Sequence, residues 1–138
     1  MSHRDSYNIV ERWAYDKGYE VLLETDASDG VYFSCGQIIL NSRNHIEKRL
    51  YILLHECGHI LINKNSMDRV FSLSHDTDAI LGGRKVSRER RVAKLTEEIE
   101  AWKRGETLAR RLGIKIDEKK FDKIRANAII SYVEWARD

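Results

Sequence analysis

The chain has 138 residues, of which 42% are hydrophobic and 33% are charged, and its formal net charge is +2. This length and composition fit one domain with its own core, so we expect a single domain over residues 1–138. The near balance of charge gives no strong attraction to nucleic acid or to an anionic membrane. The sequence has no apolar run long enough to span a membrane and no apolar signal segment, so neither is expected.

The two cysteines, Cys35 and Cys57, bear on the cellular compartment. Cys57 stands inside a histidine motif, where a disulfide would be awkward. Reduced thiols are therefore the simpler interpretation, and we expect a cytoplasmic location.

The first predicted elements are a helix and three short strands. Apolar residues at helical spacing indicate a helix from Ser6 to Lys17, with Ser6 as its N-cap and Gly18 as its end. The chain has no proline, so the turn over residues 26–30 relies on its Asp-Gly pair. We expect a small antiparallel sheet of about three strands. The strand-like runs are residues 20–25, 31–34 and 37–40.

Three more helices are predicted in the rest of the chain. A capping box of Asn44 and Glu47 indicates a helix that runs to about Ile62. A second long helix should span residues 87–112, and a last helix should start at Asp117. The expected apolar side of the second long helix consists of Val92, Leu95, Ile99, Trp102 and Leu108. The sequence therefore predicts an α+β fold, with the small sheet packed against about four helices.

The segment His55-Glu56-Cys57-Gly58-His59 lies within the helix that follows Asn44. On a helix, the two histidines lie one turn apart on one face, with Cβ atoms about 5–6 Å apart, which suits two ligands of one zinc ion. Glu56 is next to the first ligand, where it can deprotonate a metal-bound water rather than bind the metal. We therefore predict that His55 and His59 bind Zn2+ and that Glu56 is the general base.

The neighbours of this motif favour a metal site over two core histidines with ordinary hydrogen bonds. Apolar residues 50–54 precede the motif and residues 60–62 follow it, so the helix should be buried. Buried histidines and a buried glutamate are costly unless they are paired or bind a metal. Cys57 faces another side of the helix and should be a small buried residue. Gly58 indicates a close approach by the sheet or by the second long helix.

A catalytic zinc site needs a third protein ligand beside an open position. A longer motif that continues with Gly and His is excluded, because Ile62 and Asn65 occupy those positions. Glu98 is the predicted third ligand, since Ala101 and Gly105 give its helix a small-residue face that can approach the metal-binding helix closely. The alternatives are His75 and the flanking residues Glu97 and Glu100, which otherwise face solvent or support the ligands.

Together these segments resemble the ImmA/IrrE-type zinc metallopeptidases, a family of small gluzincins. The run Gly36 to Asn41, Arg49 and the segment Leu53 to Leu61 are similar to the strand-plus-helix core of that family. Glu98 to Ala101 is similar to its Glu-x-x-Ala motif for the third ligand. The resemblance covers roughly residues 6–112, and this combination is more specific than His-Glu-x-x-His alone.

The resemblance implies a minimal gluzincin fold and the cleavage of a protein substrate, often a regulatory protein or repressor, at one site. The chain departs from the family at Trp102 and Gly105, where small polar and aromatic-Ala positions are usual. We also expect no attached helix-turn-helix domain, although many members of the family carry one.

In the expected reaction, a peptide lies extended along residues 36–41, and Glu56 moves a proton from water to the leaving amine. A separate group should stabilise the oxyanion. The candidates for that role are Tyr32, Tyr51, Tyr132 and His75. Residues 63–86 contain Gly82 and Gly83, and they fit either a lid with a glycine hinge or a loose surface loop.

Two other functions use parts of the same pattern. A non-catalytic, zinc-stabilised module that binds a protein would keep His55, His59 and Glu98 but would not need Glu56. Nucleic-acid binding would use the basic residues within 84–94, but the acidic residues 97–100 follow at once. We therefore predict a zinc metallopeptidase with a protein or peptide substrate and no membrane partner, and the binding module is the alternative.

Overall fold

The computed structural model describes residues 1–65 and 86–137, and these ranges contain four helices and three strands. The helices are α1 (His3–Asp16), α2 (Ile46–Asn65), α3 (Arg88–Arg111) and α4 (Glu118–Arg137), and the strands are β1 (Glu20–Glu24), β2 (Gly30–Tyr32) and β3 (Gln37–Asn41). The predicted α+β fold, a small sheet with about four helices, is confirmed. None of the described helices is long and apolar enough to cross a lipid bilayer.

The sheet is mixed, so the expectation of a wholly antiparallel sheet was wrong. Its strand order is β1-β3-β2, with β1 parallel to β3 and β2 antiparallel to β3. The turn at residues 26–30 does reverse the chain, but β3 then enters between β1 and β2. The Asp29 carboxylate accepts a hydrogen bond from the Asn41 N–H over 2.7 Å, which ties the end of this turn to β3. In the described part of the chain, β2 therefore has a free edge.

Local hydrogen bonds place two helix starts differently from the prediction. The Ser2 hydroxyl accepts the N–H of Asp5, and the Asp5 carboxylate accepts the N–H of Ser2, so this capping box starts α1 four residues before Ser6. At the start of α2, His45 Nδ1 accepts the N–H of Lys48. The Glu47 carboxylate does not close the predicted capping box, because its hydrogen bonds come from the side chains of α2 and α4.

Helix α2 is the centre of the molecule. Every residue from Leu50 to Ile60 is buried, because α1, the sheet, α3 and α4 all contact this helix. An α-helix buried on most sides must be apolar on most sides. The polar side chains His55, Glu56 and His59 are the exceptions within this run, so the fold places its costly groups in the middle of its core.

The buried face of α3 is small and acidic rather than large and apolar. Trp102 and Leu108 are buried as predicted, but Val92 is 55% exposed and Ile99 is 40% exposed, which corrects the predicted apolar side. The residues that face the core instead include Ala93, Glu97, Glu98, Ala101 and Gly105. This composition brings two carboxylates to the surface of α2.

Helices α2 and α3 touch through their backbones. A Cβ atom built at Gly58 would overlap the carbonyl oxygen of Ala101, and one built at Gly105 would lie 2.5 Å from the carbonyl oxygen of Leu54. Only glycine fits at either position without a shift of a backbone. The predicted close approach at Gly58, Ala101 and Gly105 is confirmed, and α3 is the partner.

Candidate metal centre

The three predicted ligands lie together at the contact between α2 and α3. His55 and His59 come from α2 and Glu98 from α3, and all three are at most 8% exposed. Their ligand atoms all lie within 4.8 Å of one another. The helix periodicity of α2 places the histidines on one face, and the glycine contacts bring α3 close enough for the Glu98 carboxylate to reach them.

The distances among the donor atoms suit one small cation. The His55 and His59 Nε2 atoms are 3.3 Å apart. The Glu98 Oε2 atom lies 2.9 Å from His55 Nε2 and 3.3 Å from His59 Nε2. In a tetrahedral zinc site with bonds of about 2.0–2.1 Å, neighbouring donor atoms lie about 3.3 Å apart. The residues present therefore fit a zinc ion in both their chemistry and their spacing.

The alternative carboxylates occupy other positions. The Glu97 Oε2 atom lies 2.8 Å from His59 Nδ1, the nitrogen that faces away from the donor cluster. Glu100 pairs with Arg104 at 3.1 Å, and Arg104 also donates a hydrogen bond to the carbonyl of Leu61. His75 lies outside the described residues. Glu98 is thus the carboxylate that the described structure brings to the two Nε2 atoms.

Glu97 defines the orientation of the His59 ring. An Nδ1–H that donates to a carboxylate leaves the lone pair of a neutral imidazole on Nε2. That lone pair then points towards His55 and Glu98. On His55, Nδ1 is buried without a hydrogen-bond partner in the described structure, and the ring stacks on Trp102 at 4.3 Å between centroids. Packing against Trp102 therefore fixes the second imidazole.

Carboxylates gather around the two histidines at this centre. The Lys94 ammonium group lies 3.2 Å from Glu98 and 3.7 Å from Glu97, and the Glu56 carboxylate lies beside His55. A divalent cation would add positive charge among these carboxylates. An uncompensated charge is costly in a buried site.

The pKa shifts of His59 and Glu98 also indicate that positive charge is favoured at this centre. Burial alone would lower the pKa of His59, but the neighbouring carboxylates, Glu97 and Glu98 foremost, raise it to about 10. Burial alone would raise the pKa of Glu98, but hydrogen bonds with the two histidines bring it well below its usual range. The protein thus creates a strongly negative potential where the two Nε2 atoms meet.

Glu56 lies beside the donor cluster rather than within it. Its Oε1 atom is 3.5 Å from His55 Nε2 and 4.0 Å from His59 Nε2. Its Oε2 atom is buried and has no hydrogen-bond partner in the described structure. Burial is the main cause that raises the pKa of this carboxyl group. A buried carboxylate oxygen without a protein partner is rare, and it needs a water, an ion or a substrate group.

The centre opens into a cavity of about 660 Å³. Strand β2 borders the cavity on one side with Gly30 and Val31, and α4 borders it on the other with Ala128 and Tyr132. The expected peptide-binding strand was β3, but β3 is paired on both sides. Among the described strands, β2 is the one that borders the cavity with an unpaired edge, which corrects that expectation.

The structure also separates the candidates for an oxyanion donor. The Tyr51 hydroxyl already donates to Glu47 and accepts from the N–H of Asp117. Tyr32 is 47% exposed and does not line the cavity, whereas Tyr132 does. Burial, followed by the charge of Glu98 and a hydrogen bond to its carboxylate, raises the pKa of Tyr132. The Tyr132 hydroxyl therefore keeps its proton and lies at the candidate metal ligand.

Two residues beside the centre, Lys94 and Trp102, were not predicted there from the sequence, and the role of a third, Glu97, was left open. Lys94 and Trp102 lie four residues before and after Glu98, so helical spacing could have placed them on the same face. Glu97 was expected only as an alternative ligand or a residue facing solvent or the ligands. Nothing in the sequence around Glu97 and Glu98 indicated that both carboxylates would be buried.

These features define a small α+β protein with a buried His-His-Glu group suited to a divalent metal ion. Comparison of the chain with protein-family models, curated proteins and solved structures finds no match. The resemblance to the ImmA/IrrE family therefore stays a prediction.

Proposed function

We propose that the chain is a zinc-dependent metallopeptidase of the ImmA/IrrE type that hydrolyses a peptide bond in a protein substrate. The observation that carries this proposal is Glu56 Oε2, a buried oxygen without a protein partner in the described structure, at the edge of a three-donor cluster in an open cavity. A zinc site that only stabilises the fold is usually closed by four protein ligands, whereas here three donors converge and Glu56 lies beside them at 3.5 and 4.0 Å from the two Nε2 atoms.

His55, His59 and Glu98 would hold the ion. Two imidazole nitrogens and one carboxylate oxygen are a donor set that zinc accepts, with a fourth position open towards the cavity. When bound, zinc supplies a Lewis acid that polarises a carbonyl group and makes a water molecule more acidic. Glu97 holds His59 through Nδ1, and Trp102 holds the His55 ring, so neither imidazole has to reorient on binding.

The remaining steps fall to side chains around the cavity. The free edge of β2 can pair with an extended peptide through backbone hydrogen bonds, so that the scissile bond lies over the centre. The Glu56 carboxylate takes the proton from the attacking water and then delivers it to the amine that leaves. Tyr132 lines the cavity and is suited to donate its hydroxyl hydrogen to the oxyanion of the tetrahedral intermediate.

The test compares the wild-type protein with Glu56→Gln. Both should contain about one zinc per chain by elemental analysis, because Glu56 is not one of the three donors. Substrates are sought by comparing new protein N-termini in cells that express either form. A substrate so identified, once purified, should be cleaved at least ~100-fold more slowly by Glu56→Gln, the usual contribution of a positioned general base.

Two results would contradict the proposal. Equal cleavage by both forms would show that Glu56 is not the base. Zinc-loaded wild type and Glu56→Gln that are equally inactive on every protein they bind would instead support the alternative, a zinc-stabilised binding module. Metal-free and fully folded wild-type protein would exclude both.

A further inference from the structure

Two lysines line the cavity of the candidate metal centre, and they differ in their partners. Lys94 lies against Glu97 and Glu98, so the protein itself neutralises its charge. Among the described residues, Lys48 makes one hydrogen bond beyond those of the regular helix. Its backbone N–H donates to His45 Nδ1. Its ammonium group forms no ion pair with any described residue. Lys48 thus brings a free positive charge to the cavity.

The position of Lys48 follows from the periodicity of α2. Lys48, Ile52, His55 and His59 are separated by four, three and four residues, which places all of them on one face of the helix. All four line the same cavity. The Lys48 side chain is half-buried there, so its placement is not that of an ordinary solvated surface lysine.

The surroundings of Lys48 strengthen its attraction for an anion. Ile52, Ile124 and Ala128 are apolar parts of the cavity lining, and a charge pair beside apolar walls is stronger than one in open water. Asp29 lines the cavity too, but its carboxylate accepts the N–H of Asn41 over 2.7 Å and forms no ion pair with Lys48 in the described structure. A carboxylate brought by a ligand would meet a cation with no competing partner.

The distance along α2 sets where that carboxylate would be. Lys48 precedes His55 by seven residues, which corresponds to about 10 Å along an α-helix. An extended peptide covers about 3.3 Å per residue, so the spacing corresponds to about three residues. We propose that Lys48 is a specificity-determining residue that selects substrates with a carboxylate about three residues from the scissile bond. This inference rests on the proposed peptidase function.

The probes are labelled peptide hydroxamates, in which the hydroxamate binds the metal and replaces the scissile bond. Two series of alanine-based peptides extend from the hydroxamate in either direction, with Glu or Gln at each of the first five positions. The far end is an acetylated N-terminus in one series and an amidated C-terminus in the other. A third set has a free C-terminal carboxylate and no Glu, which separates a side-chain carboxylate from a terminal one. Binding to the zinc-loaded protein is measured by fluorescence anisotropy, without turnover.

In the wild type, a carboxylate about three residues from the hydroxamate should bind at least about fivefold more tightly than the neutral analogue. Lys48→Met should bring this ratio to about one, and Lys48→Glu should favour Lys over Glu at the same position. Lys48→Arg should keep the preference, and so should Lys123→Met, a matched change at an exposed lysine of α4 outside the cavity. Zinc content confirms that each variant is folded.

The results that overturn the inference differ from those that overturn the function. A Glu-to-Gln ratio within about twofold of one at every position, with tight hydroxamate binding, would reject the role of Lys48 alone. A preference that survives in Lys48→Met would do the same. Zinc-loaded protein that binds none of the hydroxamates would reject the proposed peptidase site, and the inference with it.

Discussion

Helix α2 carries two buried carboxylates, Glu47 in its first turn and Glu56 in its middle, and the two have opposite surroundings. Near the start of the helix, the Glu47 carboxylate receives a hydrogen bond from Tyr51 at 3.0 Å and another from Lys120 at 3.2 Å, and it lies 3.2 Å from His3. Every group directed at it is a donor or a cation. This carboxylate joins α1, α2 and α4, and its role in the fold is complete without a ligand.

Further along α2, acceptors converge instead of donors. His55 and His59 direct their Nε2 atoms at each other and at Glu98, and Glu56 adds a carboxylate with a partnerless oxygen. The Lys94 ammonium group lies 3.2 Å from Glu98. Burial is common to Glu47 and Glu56, so what distinguishes the two glutamates is the balance of donors and acceptors around each of them.

Removal of Glu98 should break the candidate metal centre most completely. Glu98→Ala takes away one of three donors, so zinc affinity should fall more than ~100-fold, beyond the usual loss for a residue that only supports a ligand. Glu100→Ala is the matched control on the same helix, because Glu100 pairs with Arg104 away from the site. Chelator competition measures both. Equal affinities for the two variants would contradict the assignment of Glu98.

Gly58→Ala tests the helix contact that brings the two halves of the centre together. The added methyl group would overlap the backbone of Ala101, so the free energy of unfolding should fall by about 3 kcal/mol, the upper range for overpacking. Zinc affinity should fall as well, since α3 must shift. The matched control is Gly30→Ala, where the nearest atom is a Tyr32 carbon at 3.9 Å. Urea unfolding of both variants checks this, and unchanged stability in Gly58→Ala would reject the close contact.

Glu97→Gln tests the support of His59 without removing a donor. Gln can still accept the Nδ1–H of His59, but it lacks the charge that strengthens this bond. Zinc affinity should fall about tenfold, at the low end for such a supporting residue. Glu56→Gln serves as the comparison, because its zinc affinity should stay close to that of the wild type. A larger loss in Glu56→Gln than in Glu97→Gln would reverse the two roles.

Glu47→Gln should have the smallest effect, and that effect should depend on pH. Burial would raise the pKa of Glu47, but hydrogen bonds from Lys120 and Tyr51 outweigh it and lower the pKa from the ordinary 4.5. A lowered pKa in the folded state stabilises the protein above the ordinary value, and the stabilisation is lost as the pH falls through the folded-state value. Near pH 7 the variant should be about 1 kcal/mol less stable than the wild type.

Urea unfolding at several pH values measures this difference between the wild type and Glu47→Gln. The difference should shrink as the pH falls below 4.5. A difference that does not change with pH would show that the Glu47 carboxylate contributes by shape and not by charge. The stabilising effect of the hydrogen bonds to Glu47 would then need another explanation.

The sequence was sufficient to predict positions that follow from spacing along one helix, and the roles of these residues stay predictions. His55, Glu56 and His59 lie on α2 as expected, because helical periodicity alone fixes which side chains share a face. Glu98 lies at the donor cluster because Ala101 and Gly105 mark the side of α3 that can come close. Small residues limit the ways in which two helices can pack. The local sequence therefore indicated which face of α3 lies against α2.

Features that depend on long-range pairing were not predictable in the same way. The turn at residues 26–30 indicates a reversal, but nothing local indicates that β3 enters between β1 and β2. The free edge at the cavity was therefore assigned to the wrong strand. Burial of Glu97 was missed for a related reason, since a glutamate is usually solvated and only the contact with His59 reveals its partner.

The interlock of Gly58 and Gly105 also bears on when during folding the chain can capture a metal ion. His59 and Glu98 are 39 residues apart in sequence, and neither helix alone offers three donors. The donor group thus exists only after α2 and α3 have met, and this contact carries the entropy cost of closing a long loop. A partly folded chain would offer at most two histidines to passing ions. Stable capture of the metal would then mark a chain whose core has already assembled, so occupancy of the centre would serve as a check on folding.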